Sequence, residues 1–550
     1  MRPLDWVVLF GWLVFLVSYG LWRGRGSDTV NQFLLAGKTM PWYAMGLSIM
    51  ATQASAITFI STTGQSYVDG MRFVQFYFGL PVAMVILSAT AVPIFHRAKV
   101  YTAYEYLEQR FDSRTRLLVT IVFLIQRGLG AGIALSAPAI ALSVILGLPF
   151  SVTILIMGCM VVLYTTMGGI KAITWADVQQ MVVILGSLIL ALIIAVWKLP
   201  SDVSFFDAVR IAGAAGKLNV VTTHFDWNDR YNLWSGLIGG GFLALAYFGT
   251  DQSQVQRYLT GKSIAQSRLS LLFNATFKVP VQFFILFLGA IVFVFFVFER
   301  PPLLFHPVEM KRVEQQAGQT GIQDRFNQAF EERQGAARRF KDASVPEARA
   351  AALRDFQSAQ KGLDSARKEA LGLAHDNDTN YIFLTFVTKY LPVGVVGLVI
   401  GVIFTAAMSA ISGEINSLAT VTVIDIYKRH FRTDVSDRHY LIASRVATAF
   451  WGIYATVFAS VVRGFGALIE AVNLVGSLFY GSMLGVFVLA FFVKRCGPKG
   501  AFVGVLAGEA AILVMTRLTS AYLWYNVVGC IVTIAVGRLV SSLTKESIQK

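Results

Sequence analysis

Apolar runs long enough to cross a bilayer recur from one end of the chain to the other. They cover residues 5–22, 41–64, 73–96, 116–146, 151–168, 174–197, 234–256, 270–298, 382–412, 439–462, 466–493, 500–516 and 521–541. Segments of this length and spacing must satisfy their own backbone in lipid, so they predict about thirteen membrane helices. Residues 5–22 follow Arg2 without a small-residue cleavage site, and read as a retained span rather than a leader.

One stretch breaks this pattern. Residues 299–380 turn polar, and Gln315 to Ala374 are rich in Ala, Arg, Glu and Gln. Apolar residues recur there at helical spacing, as Ile322, Phe326 and Phe330, then Leu353, Phe356 and Leu363. Ser344-Val345-Pro346-Glu347 reads as a capping box opening the second of two helices. The chain therefore divides into membrane segments 1–298 and 381–550, with an extracytoplasmic helical hairpin inserted at 299–380. A solvated addition is the plainer reading of that hairpin, and a docking surface for a partner the sharper one.

Charge orients the spans. Alternate loops carry Arg23, Arg25 and Lys38; Arg97, Lys99, Arg110, Arg114 and Arg116; Lys171; Arg257, Lys262 and Arg268; Lys428, Arg429, Arg432 and Arg438; Lys494, Arg495 and Lys499; Lys545 and Lys550. The intervening loops carry little besides Arg72, Arg463 and Arg517. The bias puts the N-terminus outside and the C-terminus in the cytoplasm, as in a multi-pass protein of the plasma (inner) membrane.

Composition agrees. Hydrophobic residues make up 55% of the 550 positions and charged residues 14%, where soluble domains carry nearer a quarter charged. The net charge of +15 sits at span ends, which argues against nucleic-acid binding. Cys159, Cys496 and Cys530 have neither disulfide-framework nor metal spacing. The six histidines fall in loops or at span edges, and no GxSxG, Walker A or HExxH motif occurs. These features argue against an enzyme and against a redox or organic cofactor.

Two spans, the second and the seventh, are interrupted as a packed helix would not be. One runs Ser48-Ile49-Met50-Ala51-Thr52-Gln53-Ala54-Ser55-Ala56-Ile57-Thr58 into Ser61-Thr62-Thr63-Gly64; the other runs Gly239-Gly240-Gly241-Phe242 into Tyr247-Phe248-Gly249-Thr250-Asp251-Gln252. Interruptions at corresponding positions of two halves point to an inverted-repeat transporter with a site near the bilayer midplane. Close helix packing by small residues is the alternative. In the ninth span Thr405, Ser409, Ser412, Asn416 and Thr420 form a polar stripe beside Ala406, Ala407, Ala410 and Gly413. Such hydroxyls suit a hard monovalent cation, or hydrogen bonds between helices.

Ionisable residues within spans are functional candidates. Arg127 lies in the fourth, Lys278 in the eighth, Asp251 in the seventh, Asp177 near the inner end of the sixth and Glu414 at the inner end of the ninth. The three carboxylates suit a cation exit path, and an Asp251–Lys278 structural pair is the competing reading.

With these residues in view, the chain resembles the sodium:solute symporter family, which includes sodium–glucose, iodide, multivitamin and proline symporters. The resemblance rests on Tyr164-Thr165-Thr166-Met167-Gly168-Gly169-Ile170-Lys171-Ala172 with Trp175-Ala176-Asp177-Val178-Gln179, Tyr104-Glu105-Tyr106-Leu107-Glu108-Gln109-Arg110-Phe111, Gly249-Thr250-Asp251-Gln252 with Val255-Gln256-Arg257, and Asn416-Ser417 with Asp425-Ile426-Tyr427-Lys428. It implies an all-α fold, a five-plus-five inverted-repeat core of spans two to six and seven to eleven, and alternating access driven by sodium.

It also implies a sodium site made of the Ala51, Ala54 and Ala406 carbonyls and the Ser409 hydroxyl, with Asp177 on the release path. The family usually has a second hydroxyl where this chain has Ala410, which leaves proton coupling as an alternative. Gln53, Ser55, Thr58 and the gating-type aromatic Tyr247 match cavity lining. Lys278 matches a lysine of the galactose symporters, but Tyr77 and Ala244 replace the Glu and Asn that those proteins use on sugar hydroxyls. Phe73, Phe76 and Tyr77 give a more aromatic cavity, and Lys278 or Arg127 offers a cation to a carboxylate. The expected function is sodium-coupled symport of a small organic solute, whether a carboxylate, an amino acid or a sugar. A membrane receptor using the 299–380 insertion is the reading from another class.

Overall fold

The computed structural model describes residues 1–23, 29–53, 55–317, 321–374, 377–461, 467–519 and 521–544. Ala54, the loop charges Arg25, Arg463, Lys545 and Lys550, and His375 lie outside the described residues. Ten helices among those described are long and apolar enough to cross a membrane, and Phe150–Leu163 and Ser235–Gly249 are shorter apolar helices.

The principal helices are, in chain order, α1 (Pro3–Arg23); α2 (Trp42–Gln53), which stops and resumes through a wide turn at Thr58–Thr62 as α3 (Thr63–Asp69); α4 (Leu80–Ala89); α5 (Ala91–Ala98); α6 (Ser113–Leu146); and α7 (Phe150–Trp197). Next come α8 (Gly240–Gly249), α9 (Gln252–Leu259) and α10 (Ile264–Phe298). Helix α7 is two spans in one: Gly169 adopts φ +62° between them, and a Cβ there would meet the Phe33 ring at 2.9 Å. Glycine is therefore required at that corner.

The remainder is α11 (Ile322–Asp342), α12 (Pro346–Leu373), α13 (Ile382–Tyr390), α14 (Val395–Val421), α15 (Asp437–Val461), α16 (Leu468–Phe492), α17 (Pro498–Leu518) and α18 (Leu523–Thr544). The ninth span thus starts later than its hydropathy suggests. Residues 382–390 form a separate short helix, because Pro392 lacks an N–H and Gly394 turns to φ +86°. Buried Asp5 then accepts the Gly394 N–H at 2.6 Å and the Gly397 N–H at 3.4 Å, capping α14 from the N-terminal helix.

Both interrupted spans are broken. The first break falls after Gln53; the second falls at Thr250–Asp251, where Asp251 is extended and its carboxylate accepts the Ser253 N–H at 2.9 Å. A wide helical turn occupies Ser235–Gly239 in the same span. Helix α2 packs on α7 and α10, and α14 packs on α6 and α7, so the breaks lie inside the bundle.

The insertion is a helical hairpin, α11 against α12, and its apolar stripe is buried at Phe326, Phe330, Phe356 and Leu363. Ser344 does not cap α12: extended Val345 does so with no side-chain bond, and Pro346, whose missing N–H needs no partner there, starts the helix. Nor is the hairpin wholly solvated. Arg333 is fully buried and donates to the Phe296 carbonyl at 2.6 Å and to Gln360 Oε1 at 2.9 Å, fixing the hairpin to the end of α10.

Candidate ion and solute site

The end of α2 leaves helix carbonyls without intrahelical partners. The Gln53 carbonyl is taken by the Thr58 hydroxyl at 2.6 Å and approached by Lys278 Nζ at 3.5 Å. A cavity of about 90 Å³ opens at this break, lined by Gln53, Ser55, Thr58, Tyr77, Arg127 and Tyr247 among others. Six of the expected solute residues therefore meet on one cavity. Phe73 and Lys278 do not line it. Phe73 stacks on Phe76 behind it, and Lys278 is fully buried with Nζ 5.1 Å from the Tyr77 ring centroid.

Arg127 holds the cavity's charge. Its guanidinium reaches Glu414 Oε1 at 3.0 Å, Tyr480 Oη at 2.7 Å and the Asp251 carboxylate, while Tyr480 donates to Asp251 at 2.8 Å. The Arg127 Cζ also sits 5.5 Å from the Tyr247 ring centroid. This joins α6, the second helix break, α14 and α16. Asp251 accordingly pairs with Arg127 and not with Lys278, and Glu414 lies mid-helix on the cavity rather than at a helix end.

A second polar cluster forms around Asp177, with Ser48 of α2 as one partner. Asp177, 1% exposed, accepts from Ser48 at 2.5 Å, from Arg257 at 2.7 Å and from the Ser409 hydroxyl. Arg257 is equally buried, and a Cβ on Gly413 would strike its guanidinium at 2.3 Å. It is no loop charge; neither is Arg116, whose side chain is buried against Asp425. Both look like topology markers in sequence because pairing hides their cost. Ala51 and Ala406 are buried on α2 and α14, which touch beside this cluster.

Most of the polar stripe makes contacts between helices: Trp12 donates to Thr405 at 3.1 Å, Thr165 to Ser412 at 2.7 Å and Gln256 to Thr420 at 3.3 Å. Ser409 differs because its partner is a carboxylate. Sequence reasoning missed Glu414 as lining and, although it placed the span that forms α16, missed that helix's share of the cavity. Ile469, Val472, Asn473 and Tyr480 line the cavity from α16; their spacings of three, four and seven mark one helical face, a legible signal.

The model of the sodium:solute symporter family matches residues 33–315 and 365–508. The chain belongs to that family. The symporter is 26% identical to the sodium/sialic acid symporter SiaT of Proteus mirabilis, over 98% of this chain and 95% of that one. It is 28% identical to the human sodium-coupled monocarboxylate transporter 1, over 92% of this chain and 72% of that one. The Vibrio parahaemolyticus sodium/glucose cotransporter is 25% identical, over 92% and 83%. A solved structure of a Na⁺-coupled sialic acid symporter, in a substrate-bound outward-open state, superposes with a TM-score of 0.77 at 24% identity, covering 100% of this chain and 99% of that one. That likeness establishes the repeat-type transporter fold. The symporter is a multi-pass membrane protein that couples a small organic solute to sodium. Residues 316–364, most of the hairpin, fall outside the family match.

Proposed function

We propose that sodium binds where α14 faces the first helix break, on the Ala51, Ala54 and Ala406 carbonyls and the Ser409 hydroxyl, with Asp177 leading it inward. The observation that carries this is the Ser409–Asp177 hydrogen bond, which sets a carboxylate against the one hydroxyl of the set in the protein interior. Sodium would compete for that hydroxyl's oxygen, and Asp177 and Arg257 would exchange partners as it leaves.

The solute site is the neighbouring cavity, with Gln53, Ser55, Thr58, Tyr77, Tyr247 and Arg127 as its walls and Phe73 and Lys278 supporting them. Its volume of about 90 Å³ holds about three waters. Sites for drug-sized ligands start near 300 Å³, so a larger solute requires the helices to part around it. The class is a small polar organic molecule such as an amino acid or carboxylate; sialic acid and monocarboxylates are named for the relatives. The chain sits in the plasma (inner) membrane with its N-terminus and hairpin outside.

The test is solute uptake into proteoliposomes under a sodium gradient, using solutes that stabilise the purified protein thermally in sodium. Ser409→Ala is expected to raise the sodium concentration for half-maximal uptake about tenfold, the worth of a charged hydrogen bond. An unchanged sodium dependence would remove Ser409 from the site. Uptake that ignores sodium and follows a proton gradient would transfer the coupling to protons.

A further inference from the structure

The solute cavity has one guanidinium, Arg127, held between two carboxylates, Asp251 and Glu414. The cluster therefore sets two carboxyl groups against one guanidinium before any solute enters. Glu414 spends only Oε1 on Arg127. Its Oε2 has no hydrogen-bond partner among the described residues, although the residue lines the cavity and is 7% exposed. A buried carboxyl oxygen left without a partner is expensive, and native structures reserve that expense for a ligand or a functional role. Gln53 Oε1 is a second unpartnered acceptor on the same cavity. Phe76, Tyr77 and Tyr247 supply aromatic lining, which favours a cation.

We propose that Glu414 reads a protonated amine on the solute, so that this symporter selects amine-bearing solutes such as amino acids or amino alcohols over their hydroxyl counterparts. An ammonium brings three donors and no acceptor, which suits two waiting acceptors. The inference rests on the reading of this cavity as the solute site.

The experiment compares matched pairs that differ only in amine against hydroxyl: L-alanine with L-lactate, and ethanolamine with ethylene glycol. Binding is read from thermal shifts of the full-length protein in detergent, with sodium and with potassium. The amine member of each pair should bind about tenfold or more tightly, the worth of a charged hydrogen bond. Glu414→Gln, which keeps an oxygen for Arg127, should erase that preference, and Glu414→Asp should retain it. Lactate binding as well as alanine, no binding by either amine, or a preference that survives in Glu414→Gln would each overturn the proposal. Stabilisation by sodium alone is recorded separately. Its absence beside an intact amine preference would count against the proposed sodium site and leave this inference standing.

Discussion

Two arginines organise the interior of this symporter, and they do so unequally. Arg257 faces one carboxylate, Asp177, which also receives the Ser48 and Ser409 hydroxyls. Arg127 faces two, Asp251 and Glu414, with one carboxylate oxygen left over. The first cluster is electrically balanced and its carboxylate is well supplied with donors. The second is unbalanced and borders a cavity. Charges this deep are tolerated only when paired, so a cation entering the balanced cluster would have to compete for its hydroxyl, whereas the unbalanced one would have room for positive charge as it stands. The two clusters thus pose different electrostatic problems to an entering cation.

The bluntest way to break this comparison is to remove each arginine in turn. Arg127→Ala strands two buried carboxylates, and losing one partner of a buried pair costs about 3–5 kcal/mol. Arg257→Ala strands one, still held by two hydroxyls, and should cost less. Unfolding followed in detergent at fixed sodium should therefore rank Arg127→Ala well below Arg257→Ala; the reverse order would mean that Asp177 leans on its arginine far more than its hydrogen bonds suggest.

A smaller change sharpens the sodium side. Ala410 lies beside Ser409 on α14 and lines the solute cavity, so Ala410→Ser adds a hydroxyl between the two sites. If the cation is short of one oxygen, this variant should lower the sodium concentration for half-maximal uptake severalfold, by about the net worth of one hydrogen bond. A serine that alters solute affinity and leaves sodium dependence untouched would place residue 410 in the solute site alone.

What the sequence disclosed follows the same division. The spans, the two breaks and a minority of the cavity's lining residues were legible, because hydropathy and small polar residues in apolar runs are local signals. The charge partners were not. Arg257 looked like a loop cation, and Asp251 was weighed against Lys278 when its partner is Arg127, 124 residues away. Pairing across the bundle leaves no trace in the spacing of either residue. Glu414 stands four residues beyond Ala410 on one helical face, and both line the cavity, a face that the polar stripe of Thr405, Ser409, Ser412, Asn416 and Thr420 did not mark. The ninth span's start at Val395 depends on Asp5 reaching from α1, a contact no window over residues 382–412 contains.

The seam between hairpin and membrane domain offers a third cation, and with it the mildest test. Lys217 lies outside the spans and donates to the Val68 carbonyl, with no carboxylate in salt-bridge contact among the described residues. Burial lowers its pKa from the ordinary 10.5 to about 8. The unfolded chain keeps that proton up to about 10.5, while the folded protein releases it near 8. Folding therefore carries its full penalty below pH 8, and stability should rise as pH climbs from about 8 towards 10.5. Thermal unfolding between pH 7.5 and 9 should show a gain of about 1 kcal/mol at most, and Lys217→Met should flatten it. A pH response that persists in Lys217→Met would have to arise elsewhere, and the contrast between a lone cation at the seam and the paired ones inside would lose its support.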